Sequence, residues 1–225
     1  QCASVVILIV FFLMNVDHRD LHSFPTRRSS VLSDVIAANL PTIAEIHADG
    51  GPNASLLEKQ EAFTDVLVSA LISGLTNVVT FTIDELSTPI TTLPGNTSRV
   101  DLHRLGHSKN TDLRNIVKAS HVAQVAKMVT KLKSVPEGNG TMFDNTTIIY
   151  FPETGAGHHG PSTEAPMVIM TGKKSKLDIA GRFIRLPFHA TEGHKTLGNW
   201  YTTLLNACGK DRKSTRLNSS HVLIS

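Results

Sequence analysis

The chain has 225 residues, with 22 Lys and Arg against 19 Asp and Glu and a formal net charge of +3. That excess belongs to its ends: residues 1–33 and 210–225 hold seven basic and three acidic residues, which leaves 15 basic against 16 acidic, a net −1, between them. No basic cluster is interleaved with aromatics, so composition argues against nucleic acid as a partner.

Both ends read as foreign. Leu21-His22-Ser23-Phe24-Pro25-Thr26-Arg27-Arg28-Ser29-Ser30 resembles the translation of a sequencing-library adapter, and Asp211 through His221 resembles its partner. The expected organisation is therefore a flank at 1–33, a partial α/β domain at 34–209 and a tail at 210–225, with the flanks left out of fold reasoning. Val5 to Met14 is apolar over ten residues, half of the roughly 20 that a spanning helix needs. It lacks the flanks of a secretory signal. No membrane span is expected in the native segment. Roughly 175 residues suffice for one core of ordinary size. Cys2 lies in the flank and Cys208 closes an apolar helical stripe, so no disulfide framework or cysteine-based zinc motif is expected.

Ser55 to Leu75 has the helical spacing Phe63, Val66, Leu67, Ala70 and Leu71, with Ser55 as N-cap, Glu58 three residues on and Gly74 at the end. Asn77 to Ile83 is rich in β-branched residues and predicts a strand, and Ser87 to Ser98 predicts a loop. Asp112 to Lys133 predicts a long helix with Leu113, Ile116, Val117, Val125, Met128, Val129 and Leu132 on its apolar stripe. Ser134 to Gly140 breaks it. Thr147 to Phe151 and Pro166 to Thr171 are short apolar runs, the signature of strands covered on both faces in a parallel sheet. Arg182 to Leu186 predicts another short strand. His194 to Cys208 predicts a closing helix with Leu197, Trp200, Tyr201, Leu204, Leu205 and Cys208 on one face. This order argues for α/β layering around a mostly parallel sheet.

Chemistry-bearing side chains concentrate between these elements. Glu153 follows the strand at 147–151 directly, and His158 and His159 stand in the glycine-flanked loop after it. Ligands of open α/β sheets bind beyond the carboxyl ends of strands, and a carboxylate with imidazoles there suits a divalent cation or a proton transfer. His103 and His107 lie four residues apart, and His189 and His194 bracket a Thr-Glu-Gly turn. Each pair taken alone reads equally as solvated loop histidines. Three pairs and Glu153 together point to metal. Asp84-Glu85 follows the strand at 77–83; a solvated turn is the plainer reading, a metal ligand the alternative. His121 falls on the apolar stripe of the long helix and reads as a core histidine. Between the flanks, four Asn-x-Ser/Thr patterns, at Asn53, Asn96, Asn139 and Asn145, are short enough to arise by chance. No Gly-x-Ser-x-Gly, phosphate-cradling loop or dinucleotide fingerprint occurs.

His103-Arg104-Leu105-Gly106-His107-Ser108 resembles the signature of an uncharacterised bacterial family named for a His-x-x-Ser-His-His motif, with Gly106 in place of its Ser and Ser108 in place of its last His. The resemblance extends over Ala62–Asp65 to Leu75–Val79, Leu132–Gly138, Phe143–Thr146 through Glu153, and His158 or His159 followed by Pro166 and Gly172. That family is similar to the alkaline phosphatase and sulfatase superfamily. The resemblance implies a layered α/β/α sandwich truncated on its amino-terminal side, exported to the periplasm or secreted. It also implies a divalent metal (zinc, calcium or magnesium) held by Glu153 with His158 or His159; the loop pairs and the first strand's end add His107 and His194 as further candidates, with His103, His189 and Asp84 behind them. Substrates would be small-molecule or polymeric phosphate or sulfate esters. The superfamily's nucleophile lies in the amino-terminal half, so this chain is expected to be inactive as it stands. The altered hexad favours the alternative of a non-catalytic binding or structural module of the same fold.

Overall fold

The computed structural model describes residues 6–12, 33, 34, 37, 56–83, 89, 90, 99–107, 111–152 and 166–208. Its centre is a four-stranded sheet of β1 (Val6–Phe12), β2 (Val78–Thr82), β7 (Thr146–Pro152) and β8 (Val168–Thr171), in the spatial order β2-β1-β7-β8. Each of the three ladders is antiparallel. The mostly parallel sheet expected from the apolar runs is not what these strands make. A continuous apolar run reports burial on both faces, not strand direction, and β7 is buried on both faces here. Its Ile148 and Ile149 are each 0% exposed, although they point to opposite sides. The residues read as a foreign flank supply β1, the strand between β2 and β7. Since β1 is antiparallel to both neighbours, β2 and β7 run the same way.

One face of the sheet carries α1 (Leu56–Ile72) and α3 (Thr111–Ser134). Leu67, Val68 and Leu71 of α1 and Val125, Met128 and Leu132 of α3 close over Ile148, with Val79, Phe81, Tyr150 and Met170 at the margin. Their spacing of three and four residues is what lets two helices share one stripe. On α3 that stripe passes through Ser120, His121 and Gln124, all buried, so this helix carries a polar seam among its apolar contacts. The helix α1 ends as its glycine predicts. Gly74 adopts φ +71, its N–H donates to the Leu71 carbonyl (3.0 Å) and the Leu75 N–H to that of Ala70 (3.0 Å). This is the Schellman arrangement, which satisfies carbonyls the helix would otherwise leave open.

The other face is covered by α4 (Leu197–Ala207) and the segment at 177–179. Ile149 and Phe151 meet Leu177, Ile179, Leu204 and Ala207 there. The helix α4 starts later than the pattern suggests. Thr196 caps it: its N–H donates to Asn199 Oδ1 (2.9 Å), and Asn199 N donates back to Thr196 Oγ1 (3.3 Å). Only part of its predicted stripe is covered, since Leu197, Tyr201 and Leu205 remain exposed. The strand expected at Arg182–Leu186 does not form. No strand of the described residues pairs with it, residues 180–193 are all exposed, and Phe183 is 94% exposed.

The loop expected at 87–98 contains one half of a small ladder: β3 (Pro89–Ile90) pairs with β4 (Val100–Asp101). Ile90, Leu105 and Val117 form a second, smaller core beneath it. Glycine-rich residues after α3 fold into a hairpin of β5 (Pro136–Glu137) and β6 (Gly140–Thr141), leading to a 3-10 turn at Met142–Asn145. Asp144 Oδ2 accepts from Thr141 N (2.8 Å) and Thr141 Oγ1 (3.2 Å). The backbone bond above all holds the Asp144 carboxyl below its ordinary 3.8; the Thr141 hydroxyl and Lys173 and Lys174 add to the effect, against some desolvation. Asn145 is buried and donates from Nδ2 to Glu137 Oε2 (2.5 Å), a structural bond rather than a surface acceptor for sugar.

Candidate metal centre

The ends of β2 and β7 set the geometry. Ile7 pairs with Thr82 on one side and with Phe151 on the other, so the two strands finish level at one rim. Neighbouring strands lie about 4.8 Å apart, which puts β2 and β7 about 10 Å from each other across β1. Asp84 and Glu153 each follow two residues after those level positions in the sequence. Asp84, Glu153, His158 and His159 themselves lie outside the described residues.

The sequence places His103 and His107 in a loop ahead of the long helix. They belong instead to a short helix, α2 (Leu102–His107). Asp101 starts it by accepting from the Arg104 N–H at Oδ1 (3.0 Å), the usual service of an N-cap carboxylate. Four-residue spacing on a helix puts two residues on one face. The His107 side chain is exposed, and that of His103 lies outside the described residues.

His189 and His194 are brought together directly. Their ring centroids are 5.6 Å apart and the rings are inclined by 58°. Two successive turns make this possible. Thr191 donates to the Phe188 carbonyl through N (3.1 Å) and Oγ1 (2.6 Å), and His194 N donates to the Thr191 carbonyl (3.2 Å). Ala190 at φ +63 and Gly193 at φ +76 supply the left-handed residues the reversal needs. His194 Nδ1 lies 3.1 Å from the same Thr191 carbonyl oxygen. A carbonyl only accepts, so Nδ1 carries the proton there and Nε2 of the neutral ring keeps its lone pair.

Among the described residues, no three His, Cys, Asp or Glu side chains gather closely enough to hold a metal ion. His107 and His194 thus do not share such a group within the described part of the chain. His121 is buried on α3 at 3% exposure, in the core position its stripe suggested. Cys208 forms the C-cap of α4, and burial pushes its thiol pKa up from the ordinary value. The residue that the sequence did not mark is Thr191, whose backbone carbonyl orients His194. Its only trace was its place in the turn between two histidines.

No family model matches the chain, and no curated protein or solved structure does so either. Among the described residues, no helix is long and apolar enough to cross a membrane.

Proposed function

We propose that the chain is part of a metal-dependent phosphate- or sulfate-ester hydrolase-like domain of an exported protein. The observation that supports this reading most is the common rim. Two strands running the same way end level there, and each leads within two residues to a carboxylate, Asp84 or Glu153. Glu153 with His158 or His159 would hold a divalent ion, His107 and His194 being further candidates. A carboxylate and imidazole set of this kind suits zinc, and with water it serves harder ions too. When bound, such a metal polarises the ester oxygen and activates water. The chain's own contribution would be to present these ligands just beyond β7, whose Ile148 and Ile149 are buried on opposite faces of the sheet.

The test is a titration of the chain with zinc, magnesium and calcium, followed in the Glu153→Ala and His159→Ala variants. A loss of affinity in both supports the site, and unchanged affinity overturns it.

A second reading has its own observation. Gly106 and Ser108 replace two polar positions of the resembled hexad, which favours a non-catalytic binding or structural module of the same fold. A chain that binds metal yet leaves aryl phosphate and aryl sulfate esters intact, also in a parent that restores an amino-terminal nucleophile, would decide for the module.

A further inference from the structure

We propose that His189 and His194 form a bis-imidazole chelate for a borderline divalent transition ion such as zinc, nickel or copper. This site stands apart from Glu153, His158 and His159, and it takes His194 out of the candidates for the rim ion. Both imidazoles of a shared ion bind at about 2.0–2.1 Å, so their ring centroids each lie about 3.2 Å from it. The observed 5.6 Å between centroids then corresponds to a ligand–metal–ligand angle of roughly 120°. That is near what a tetrahedral ion accepts.

Three features prepare the pair. The ring of His194 is held by the Thr191 carbonyl at Nδ1, so Nε2 is the atom left to donate to the ion. An outer partner of this kind fixes the tautomer and raises the basicity of a ligating histidine. The turn that brings the rings together is closed by three bonds, from Thr191 N, Thr191 Oγ1 and His194 N. It also holds Ala190 in a left-handed conformation, φ +63, which a non-glycine residue adopts only when its surroundings impose it. Residues 189–193 are exposed and His194 is partly so, which leaves an open path for the ion and for the waters that complete its coordination.

The ligand set dictates the preference. Two neutral nitrogens suit copper, nickel and zinc, whereas calcium and magnesium require oxygen-rich cages. Among the described residues no third His, Cys, Asp or Glu joins the pair in a metal-holding group. The order of affinity should therefore follow the intrinsic series, with copper above nickel and zinc.

The experiment is a titration of the metal-free full chain with Cu(II), Ni(II) and Zn(II) by calorimetry, with electron paramagnetic resonance of the Cu(II) form. It compares His189→Ala, His194→Ala and the triple variant Glu153→Ala/His158→Ala/His159→Ala. His189→Ala and His194→Ala are each expected to lower affinity at least about tenfold and to remove one nitrogen from the copper spectrum. The triple variant is expected to leave this signal in place. His189 is exposed, so its substitution tests the site even if His194→Ala disturbs the turn. Equal affinity in chain and His189→Ala overturns the proposal. So does a loss seen only in the triple variant, an outcome that would support the rim site instead.

Discussion

Gly172 has its backbone pressed against Phe143: a β-carbon at Gly172 would overlap the Phe143 carbonyl oxygen and the Asp144 backbone behind it. The contact joins the end of β8 to the 3-10 turn before β7, and two backbone bonds fasten it, Gly172 N to Thr146 O and Lys174 N to Asp144 O, both 2.9 Å. Neither neighbour is the end of a flexible side chain, so neither can swing away. Gly172→Ala is expected to destabilise by about 3 kcal/mol or more, the upper range for overpacking. Gly138 is the control. It has φ +55 and open space around its α-carbon, so Gly138→Ala is expected to cost roughly 1 kcal/mol of backbone strain. Thermal or urea denaturation of the two variants gives the comparison.

Burial of the central strand makes a second prediction. Ile149 is fully buried between β7 and α4, whereas Leu205 on α4 is half exposed. Ile149→Ala is expected to lose about 2–5 kcal/mol, and Leu205→Ala to stay within about 0.5 kcal/mol. Similar losses for both would mean that α4 presents a different face to the sheet.

The polar seam on α3 has a weak point. Gln124 is 2% exposed, and among the described residues its Oε1 has no hydrogen-bond donor. An acceptor buried in that way costs about 1–3 kcal/mol, so Gln124→Leu, which removes it at similar size, is expected to leave the melting temperature unchanged or raise it. A marked fall would reveal a donor.

Asp144 titrates on the acid side. Its folded-state carboxyl lies below the ordinary 3.8, chiefly through the Thr141 N–H. The stabilisation it provides is therefore complete above the unfolded-state value and is lost as pH falls through the folded one. Stability measured between about pH 5 and pH 2 should fall less steeply in Asp144→Ala than in the parent. Identical slopes would show that the carboxyl is not held by Thr141.

What the sequence disclosed follows from what periodicity can carry. Three- and four-residue spacing located α1 and α3 to within three residues at the described ends, and Gly74 marked a stop because a left-handed residue was needed there. The apolar run at 147–151 disclosed burial on both faces but not direction, since direction depends on which strand is the neighbour, and that neighbour came from residues 6–12. Arg182–Leu186 has strand-like composition, yet composition does not furnish a partner edge. On α4, Leu204 and Leu205 look alike in sequence, and only the placement of the helix decides which is covered. The site was legible to a different degree. The spacing of His189 and His194 marked a turn, and the turn brings the rings together. For His103 and His107 the intervening Gly106 hid a helix, which Asp101 starts from outside the motif.

The position of Val6–Phe12 reaches beyond the sheet itself. These residues form ladders along both of their edges, so they act as a splice between two halves. Clipping the chain anywhere before Val78 in a way that frees them would bare facing rows of amides and carbonyls on two strands of equal polarity. An incoming segment could satisfy both rows only by running counter to both, as the resident one does. Recruitment from another molecule, with chains knitted end to end, is the failure by which this protein would aggregate.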